Sequence, residues 1–512
     1  MTEPDEPRRP RRGAGHPRST SGAPRPASGG DHGRARSAQR PAQRSRTADP
    51  PRLAAYTLLR AVASGAYANL ELPKILRAAR LSGRDAAFAT ELAYGALRLQ
   101  GRYDPIVAAL AARPVEAVDP PVLDTLRLGA HQLLGMRVPT HAAVSETVAL
   151  ARMVNGAGAA GFVNAVLRRM AERDLADWLD DLAPQSLPAL DRLAVRESHP
   201  RWVVEALRGA LLGHGRATRD TADAELAALL AADNAPALVA LAARPGLAEV
   251  AEMFAAGARP AAMAPTAAVL PHGDPGALPA VREGRAAVQD EGSQLVALAL
   301  AAASTTTGEG PQRWLDLCAG PGGKAGLLAA LALQRGASLV ANDVSEHRAA
   351  LVRRSLAAAS AAGLGRIEVR VGDGRLVGAD EPARYDRVLV DAPCTGLGAL
   401  RRRPEARWRR TPGDVQTLVP LQRDLLVSAV EATRPGGVIG YATCSPHLPE
   451  TRFLVADVVK RREDLEVLDA RDALAEATAG AAHDLGPGPF VQLWPHVHDT
   501  DAMFLALLRR RT

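Results

Sequence analysis

The sequence YDRVLVDAPCTGLGALRRRPEARWRR, residues 385–410, decides the fold of the chain. Its apolar run at residues 388–390 predicts a buried strand that ends at the carboxylate of Asp391. A turn then presents the thiol of Cys394, and six arginines with one acid follow between residues 401 and 410. Ligands of open α/β sheets bind beyond the carboxyl ends of the strands. The stretch therefore predicts an α/β sheet with a functional site at the end of this strand.

Three earlier apolar runs predict further strands of a mostly parallel sheet, at residues 313–317, 338–342 and 367–371. The first leads into the sequence DLCAGPGGK, whose glycines let the backbone approach a ligand, although its spacing fits neither the dinucleotide fingerprint nor a P-loop. The second strand ends at Asp343, which can accept hydrogen bonds from ribose hydroxyls. The third is followed by Asp373, which can reach an adenine amino group. These strand ends predict a sheet that binds a nucleoside.

The chain has three cysteines, and each lies at the end of a predicted strand: Cys318, Cys394 and Cys444. So few cysteines do not indicate a disulfide framework, and a zinc site usually needs four ligands at closer spacing. The thiols of Cys394 and Cys444 each follow a strand of one sheet, which favours a chemical role over simple burial. The residues alone leave these two thiols interchangeable as a nucleophile.

Two regions precede this sheet. Apolar residues recur at helical spacing over residues 51–172 and predict an all-helical domain. His131 and His141 in that domain have no cysteine or acid at metal-ligand spacing, so we interpret them as structural or surface residues. Residues 173–287 predict a linker and a small α+β subdomain, and residues 288–512 form the predicted α/β domain.

The α/β domain begins with a predicted helix over residues 288–300, which packs on the sheet. Three polar residues stand near its start: Gln289, Asp290 and Gln294. They either line a ligand cleft or cap the helix. The sequence leaves both interpretations open.

The positive charge of the chain is concentrated at its start. Residues 1–50 hold 11 Arg, no Lys and 5 acids, which leaves 52 basic against 51 acidic residues in the rest. Because this segment is rich in Pro, Gly, Ser and Arg, it predicts a disordered basic tail with loose affinity for RNA. Its acids and prolines argue against a transit peptide. No run of about 20 apolar residues predicts a membrane span.

The sequences DLCAGPGGK, VDAPCTGLGALRRRP and YATCSPHLPE, in this order, resemble the RNA cytosine-5 methyltransferases of the Nol/Nop/Sun family. The sequences ELAYGALRLQGRYD, LRLGAHQLLGMRVPTHAAVSETVALA and FVNAVLRRM resemble the NusB-type RNA-binding helical domain. Together they are similar to the bacterial RsmB/Sun-type branch, which methylates a cytosine of small-subunit (16S) ribosomal RNA. The resemblance implies a cytoplasmic enzyme with a Rossmann-like sheet that uses S-adenosylmethionine.

The family likeness also implies roles for individual residues. Cys444 would be the nucleophile that adds to C6 of the cytosine, Cys394 would act in product release, and Asp391 would position the base. The cofactor would lie against Asp391 and nine further residues, which are Cys318, Ala319, Gly320, Pro321, Gly322, Gly323, Lys324, Asp343 and Asp373. The chain departs from the family at residues 501–504, DAMF in place of DGFF, and at residues 238–246, LVALAARPG in place of a typical LRVN.

The arginine-rich segment predicts contact with RNA. Arg401, Arg402 and Arg403 would follow phosphates and Trp408 would stack on a base, whereas the alternative is a solvated charged helix face. Single-stranded or looped RNA, without a metal ion, is the expected partner of a monomeric enzyme. Two other classes stay open: a protein that binds RNA and S-adenosylmethionine without catalysis, and a methyltransferase of DNA or protein.

Overall fold

The computed structural model describes residues 48–363 and 365–511. The first 47 residues of the predicted disordered tail lie outside this part of the chain. Asp49, at the end of that predicted tail, instead caps the first helix, because its side chain accepts a hydrogen bond from the backbone N–H of Arg52.

The N-terminal region is helical. It contains α1 (Pro50–Ala63), α2 (Ala68–Ala78), α3 (Gly83–Ala111), α4 (Pro120–Ala130), α5 (Thr140–Asn155) and α6 (Ala157–Met170). Two clusters of buried apolar side chains form its core. His131 is buried and its Nδ1 atom lies 2.8 Å from the Tyr103 hydroxyl, whereas His141 is exposed. The hydrogen bond gives His131 a structural role inside the helical domain.

The middle region contains helices and a small antiparallel sheet. The helices are α7 (Leu175–Leu182), α8 (Ala189–Arg196), α9 (Arg201–Gly213), α10 (Ala222–Asn234), α11 (Ala251–Phe254) and α12 (Pro279–Arg282). The strands are β1 (Val239–Ala243), β2 (Arg259–Pro260), β3 (Ala267–Leu270) and β4 (Ala286–Val288), in the order β2-β3-β1-β4. β4 runs one residue past the predicted domain boundary at residue 287.

The C-terminal region is an eight-stranded sheet with helices on its faces. The helices are α13 (Glu291–Ala302), α14 (Gly323–Gln334), α15 (Glu346–Gly363), α16 (Val377–Asp380), α17 (Ala406–Arg409), α18 (Pro412–Ala432), α19 (Arg452–Lys460), α20 (Ala470–Ala477) and α21 (Pro495–His498). The strands are β5 (Arg313–Asp316), β6 (Ser338–Asp343), β7 (Ile367–Val371), β8 (Tyr385–Asp391), β9 (Thr433–Thr443), β10 (Leu465–Leu468), β11 (Val491–Gln492) and β12 (Phe504–Arg510).

The strand order is β10-β12-β9-β8-β5-β6-β7, with β11 paired to β12. The five strands β9, β8, β5, β6 and β7 pair in parallel with one another, and β12 pairs antiparallel with β9, β10 and β11. The prediction of an α/β class with a mostly parallel sheet is therefore confirmed, and the antiparallel edge is an addition that the sequence did not predict. In the described residues no helix is long and apolar enough to cross a membrane.

The segment 401–410, here called the arginine loop, attaches the sheet to the helical domain. The backbone N–H of Ala68, at the start of α2, donates to the Glu405 carboxylate over 3.3 Å, and Arg409 donates to the carbonyls of Val62 and Ala66 at the end of α1. Both charges match the helix dipole, since carboxylates stabilise N-termini and guanidinium groups stabilise C-termini. The indole N–H of Trp408 donates to Leu97 O over 2.9 Å.

Arg407 is the most deeply buried residue of the arginine loop. Its guanidinium donates to Asn234 Oδ1 at 2.8 Å, to Ser198 O at 3.1 Å and to Asp233 O at 3.0 Å. Because the side chain of Arg407 has no exposed surface, water could not replace its guanidinium as the donor to these acceptors. Arg407 therefore joins the middle region to the arginine loop.

We expect Arg407→Ala to lower the free energy of unfolding by about 3 kcal/mol, because buried acceptors would lose a charged donor. The control is Arg353→Ala, which removes a half-exposed ion pair with Glu346 and costs about 0.5 kcal/mol or less. Urea unfolding followed by tryptophan fluorescence measures both. Equal losses in the two variants would contradict the structural role of Arg407.

Candidate active site

The structure brings Cys394 and Cys444 together at the carboxyl ends of β8 and β9. These strands pair in parallel with Asp391 opposite Ala442, and the two Sγ atoms lie 3.4 Å apart. Gly398 holds the two turns together, because its N–H donates to Cys444 O at 2.9 Å. A Cβ atom at Gly398 would lie 2.3 Å from the carbonyl oxygen of Ala502, so the close approach requires glycine.

The surroundings of the two sulfurs differ. The pKa of Cys444 is lowered by its hydrogen bond with Cys394 and by the positive charges of Arg403 and Lys324, which together outweigh burial. The pKa of Cys394 is raised well above its ordinary value by the same hydrogen bond and by burial. Of the two sulfurs, Cys444 is therefore the one that loses its proton more readily. This asymmetry separates two thiols that the sequence left interchangeable.

The cations beside Cys444 come from distant parts of the chain. Lys324 follows the glycine-rich turn after β5, and its Nζ atom lies 3.0 Å from Asp391 Oδ2. Burial alone would lower the pKa of Lys324, but the charge of Asp391 raises it above the ordinary value, so the ammonium group stays charged. His447 is the basic residue nearest to Cys444 in the sequence, yet burial lowers the pKa of its imidazole. A neutral His447 does not supply the positive charge.

The predicted cofactor residues lie along the ends of β5, β6 and β7. The predicted contacts Cys318, Ala319, Gly320, Pro321, Gly322, Gly323 and Lys324 form the turn between β5 and α14 and the first residues of that helix. Gly320 N donates to Asp343 Oδ2 at 3.0 Å, and a Cβ atom at Gly320 would lie 2.5 Å from the same oxygen. The backbone of the turn thus lies directly on the carboxylate of Asp343.

Asp316, at the end of β5, indicates what this turn can hold. Its side chain is fully buried, no hydrogen bond of regular geometry reaches either carboxylate oxygen from the described residues, and burial together with Asp391 raises its pKa to about 8. A buried carboxylate without partners suits a ligand that brings a positive charge or hydrogen-bond donors. The ammonium group of an amino-acid nucleoside such as S-adenosylmethionine fits this requirement.

Apolar and acidic groups alternate at the next two strand ends. Val344 directly follows Asp343, and Leu376 lies three residues after Asp373; both apolar side chains are more than half exposed. Asp373 itself is paired with Arg375 at 2.6 Å. Exposed apolar side chains next to carboxylates suit a heteroaromatic base attached to a ribose. The sequence predicted the two carboxylates but not these two apolar neighbours.

Cys318 and the residues before α13 have supporting positions. Burial and the charge of Asp316 raise the pKa of the Cys318 thiol, which therefore stays protonated. Asp290 caps α13 by accepting from Ser293 N at 3.3 Å. The Gln289 side chain lies 3.7 Å from the Cβ position of Gly323. Of the two open interpretations, capping holds for Asp290, and Gln289 borders the cofactor turn.

The structure gives most of the predicted RNA-binding residues partners within the protein. Arg401 is buried and pairs with Asp499 at 2.6 Å, and Arg402 pairs with Asp290 at 2.5 Å and with Asp501 at 2.9 Å. A Cβ atom at Gly101 would lie 2.4 Å from the Trp408 ring, which packs on α3. These contacts contradict the alternative of a solvated charged helix face, and RNA contact by these residues stays a prediction. Arg403 has no ion pair within the described residues, and its charge acts on Cys444.

Three functional roles near the thiols were missed from the sequence. Lys324 was assigned only to the cofactor, Arg403 only to RNA, and Glu450 received no role. Glu450 is fully buried and accepts hydrogen bonds from the residues that follow both cysteines. Among the described residues no group of histidines, cysteines and acids could hold a metal ion.

Comparison with known proteins identifies the family that shares this architecture. A family model described as 16S rRNA methyltransferase RsmB/F matches residues 305–509, and a NusB family model matches residues 49–172. Rv1407 of Mycobacterium tuberculosis (strain ATCC 25618 / H37Rv), which carries a provisional methyltransferase name, is 52% identical over 92% of this chain and 98% of its own length. Ribosomal RNA small subunit methyltransferase B of Pseudomonas putida is 32% identical over 82% of this chain and 91% of its own.

The crystal structure of PH0851 has the same fold, with a TM-score of 0.73 at 20% identity over 91% of this chain and 99% of that chain. Fold and site thus define a methyltransferase whose α/β sheet follows a NusB-type helical domain. The chain belongs to the RsmB/F family of 16S rRNA methyltransferases.

Replacement of Arg403 by glutamine should raise the pKa of Cys444, because a nearby positive charge lowers a thiol pKa by roughly 1–3 units. Alkylation of Cys444 by iodoacetamide at pH 7 should therefore slow by about tenfold or more. Peptide mass spectrometry measures the rate, and Arg353→Gln, far from the thiols in sequence and half exposed, is the control. Unchanged alkylation of Cys444 in Arg403→Gln would refute the assignment of that charge.

Proposed function

We propose that this protein transfers a methyl group from S-adenosylmethionine to C5 of a cytosine in RNA, through a covalent bond between Cys444 and C6. The observation that carries the proposal is the thiol pair, with its Sγ atoms 3.4 Å apart beside the Lys324–Asp391 ion pair. C5 of cytosine is a poor nucleophile, and covalent catalysis divides its methylation into easier steps. The second thiol provides a group beside the attacking sulfur that can take part in release.

The first step is attack by the Cys444 thiolate on C6. A new S–C bond forms, and the electron pair of the C5–C6 double bond moves into the ring toward N3. Asp391 accepts from the N4 amino group of the cytosine, and Lys324 provides positive charge where the negative charge develops. C5 is then nucleophilic, and the methyl group comes from the sulfonium centre of S-adenosylmethionine.

Release requires removal of the C5 proton and expulsion of the Cys444 sulfur. The hydrogen bond with the Cys444 thiolate is the largest cause of the raised pKa of Cys394. Once that sulfur is bonded to carbon, its negative charge is gone and Cys394 releases its proton to solvent more easily. This is the one proton that the whole reaction sets free. The Cys394 thiolate then takes the C5 proton, the C5–C6 double bond re-forms, and Cys444 leaves as a thiolate.

The substrate class rests on the relatives and on the accessory domain. The relative from Pseudomonas putida is named for the small-subunit ribosomal RNA, so we propose 16S ribosomal RNA as the substrate, with a flipped or looped-out cytosine. We propose that the helical domain, residues 51–172, and the subdomain at residues 173–287 bind this RNA. Residues 288–512 would hold the cofactor and perform the transfer.

The two cysteines should give opposite results when each is replaced by alanine. Cys444→Ala should form neither methylated RNA nor a covalent adduct, because the attacking sulfur is absent. Cys394→Ala should accumulate a protein–RNA adduct that survives denaturing gels, because release is blocked. Labelled S-adenosylmethionine, small-subunit RNA and base mapping measure both products.

Cys318→Ala is the matched control for these two variants. It removes a thiol at the cofactor turn, so any loss of methylation should follow cofactor affinity and no adduct should accumulate. Methylation by Cys444→Ala with loss in Cys394→Ala would reverse the two roles. Absence of transfer to any RNA by the wild type would favour a binding protein.

Asp343→Ala should weaken binding of S-adenosylhomocysteine by about 10–100-fold, because hydrogen bonds to a charged group contribute about 1.5–3 kcal/mol each. Isothermal titration calorimetry measures the dissociation constant. Asp380→Ala, at an exposed position of α16, should bind like the wild type. Equal affinity in all three proteins would remove Asp343 from the cofactor site.

A further inference from the structure

Glu450 lies in the interior between the two cysteine turns. Its carboxylate and the side chains of Thr395, Ser445 and Gln422 are all buried. Thr395 N donates to Oε1 at 2.7 Å, and Oε2 accepts from Thr395 Oγ1 at 2.5 Å and from Ser445 Oγ at 2.7 Å. Thr395 directly follows Cys394, and Ser445 directly follows Cys444. One carboxylate therefore binds the neighbours of both sulfurs.

Gln422, on α18, extends the same network. Its Nε2 atom donates to Glu450 Oε1 at 3.2 Å and to Pro393 O at 2.9 Å, one residue before Cys394. Thr395 Oγ1 and Ser445 Oγ also lie 3.0 Å apart. Both turns are thus held on the same acceptor, which fixes the distance between the sulfurs.

If Glu450 only held the two cysteine turns together, a neutral hydrogen-bond acceptor would be sufficient. Burying a charge is costly unless it is paired, and no lysine or arginine nitrogen lies within 4 Å of Glu450 in the described part of the chain. The closest basic group is His447, at 3.9 Å, and its imidazole is neutral because burial lowers its pKa. The charge itself is therefore expected to have an effect on its neighbours.

The effect of Glu450 falls on Cys394. After the hydrogen bond with Cys444 and burial, the negative charges of Glu450 and Asp391 contribute to the raised pKa of Cys394. Asp391 raises the pKa of Cys444 as well, and there the positive charges of Arg403 and Lys324 oppose it.

Three other groups face this site. Arg410 donates to Thr395 O at 3.2 Å and to Cys394 O at 3.5 Å. Tyr441, whose phenol pKa burial raises, and His447 carry no charge at neutral pH. Glu450 is therefore the negative charge that distinguishes Cys394 from Cys444.

We propose that Glu450 is a positioning residue for both catalytic thiols, which ties the two cysteine turns together and places a negative charge on the Cys394 side. This inference rests on the proposed function for the catalytic meaning of the thiols. The hydrogen-bonded carboxylate sets the spacing of the sulfurs, and its charge adds to the hydrogen bond with Cys444 and to burial in raising the pKa of Cys394. Cys444 is consequently the sulfur that is ready to attack.

Two variants separate spacing from charge. In Glu450→Gln the amide oxygen still accepts from Thr395 N and the amide N–H can donate to the hydroxyl groups, so the tie remains and the charge is lost. In Glu450→Ala both are lost. Glu463→Gln, at an exposed position after α19, is the matched control.

The spacing is measured with phenylarsine oxide, which needs two neighbouring thiols for stable capture. Wild type, Glu450→Gln and Glu463→Gln should capture it equally, and Glu450→Ala should lose at least tenfold in capture. Thr395→Val removes one donor to Glu450 without a large change of shape, and should lower capture severalfold. This variant keeps the test decisive if Glu450→Ala does not fold.

The charge is measured by iodoacetamide labelling between pH 6 and 10, at less than one label per protein, with peptide mapping. In Glu450→Gln the ratio of Cys394 to Cys444 labelling at pH 8 should rise by about tenfold, because Cys394 loses a neighbouring negative charge. A structural role alone would not move this ratio while arsenical capture stays normal.

Unchanged labelling ratios in Glu450→Gln together with normal capture in Glu450→Ala and Thr395→Val would overturn the proposal. Both measurements use the protein without RNA or cofactor, so they are independent of methyl transfer. If the Glu450 variants behave as expected but Cys444→Ala still methylates RNA, the tie stands and the proposed function fails. If Cys444→Ala is inactive and the Glu450 variants behave like the wild type, the proposed function stands and the role of Glu450 fails.

Discussion

The parallel pairing of β8 with β9 is the constraint on which the site depends. Asp391 stands opposite Ala442, so the two chain segments leave the sheet side by side and their sulfurs meet. Both strands are buried along most of their length. Because a slip of one residue would turn every side chain of one strand to the opposite face, this burial fixes the register. The geometry of the thiol pair is thus a product of the core.

Two chemically identical side chains become different because of what surrounds them. Lys324 arrives from the turn after β5, Arg403 from the arginine loop, and Glu450 from the turn that follows β9. The positive charges of Lys324 and Arg403 therefore favour ionisation of Cys444, and the negative charge of Glu450 opposes ionisation of Cys394. In a low-dielectric interior such differences are larger than the same charges would produce in water. The asymmetry needs no difference between the cysteines themselves.

The sequence predicted the strand ends well because their signals are local. An apolar run followed by an acid or a cysteine needs only neighbouring residues, and this pattern located Asp343, Asp391, Cys394 and Cys444. The partners of the arginine loop could not be predicted in this way. The acids that bind Arg401 and Arg402 lie 98 to 112 residues away in sequence, and no local pattern identifies them. The antiparallel edge strands carry no motif.

The attachment of the arginine loop also bears on how chains of this kind can diverge. Glu405 and Arg409 contact the ends of α2 and α1, 337 and 347 residues earlier in the sequence. A substitution at either helix end would therefore alter contacts of the segment that follows Cys394. The two halves cannot accumulate substitutions independently, and exchange of the helical domain between relatives would also exchange part of the support of the turn that carries Cys394.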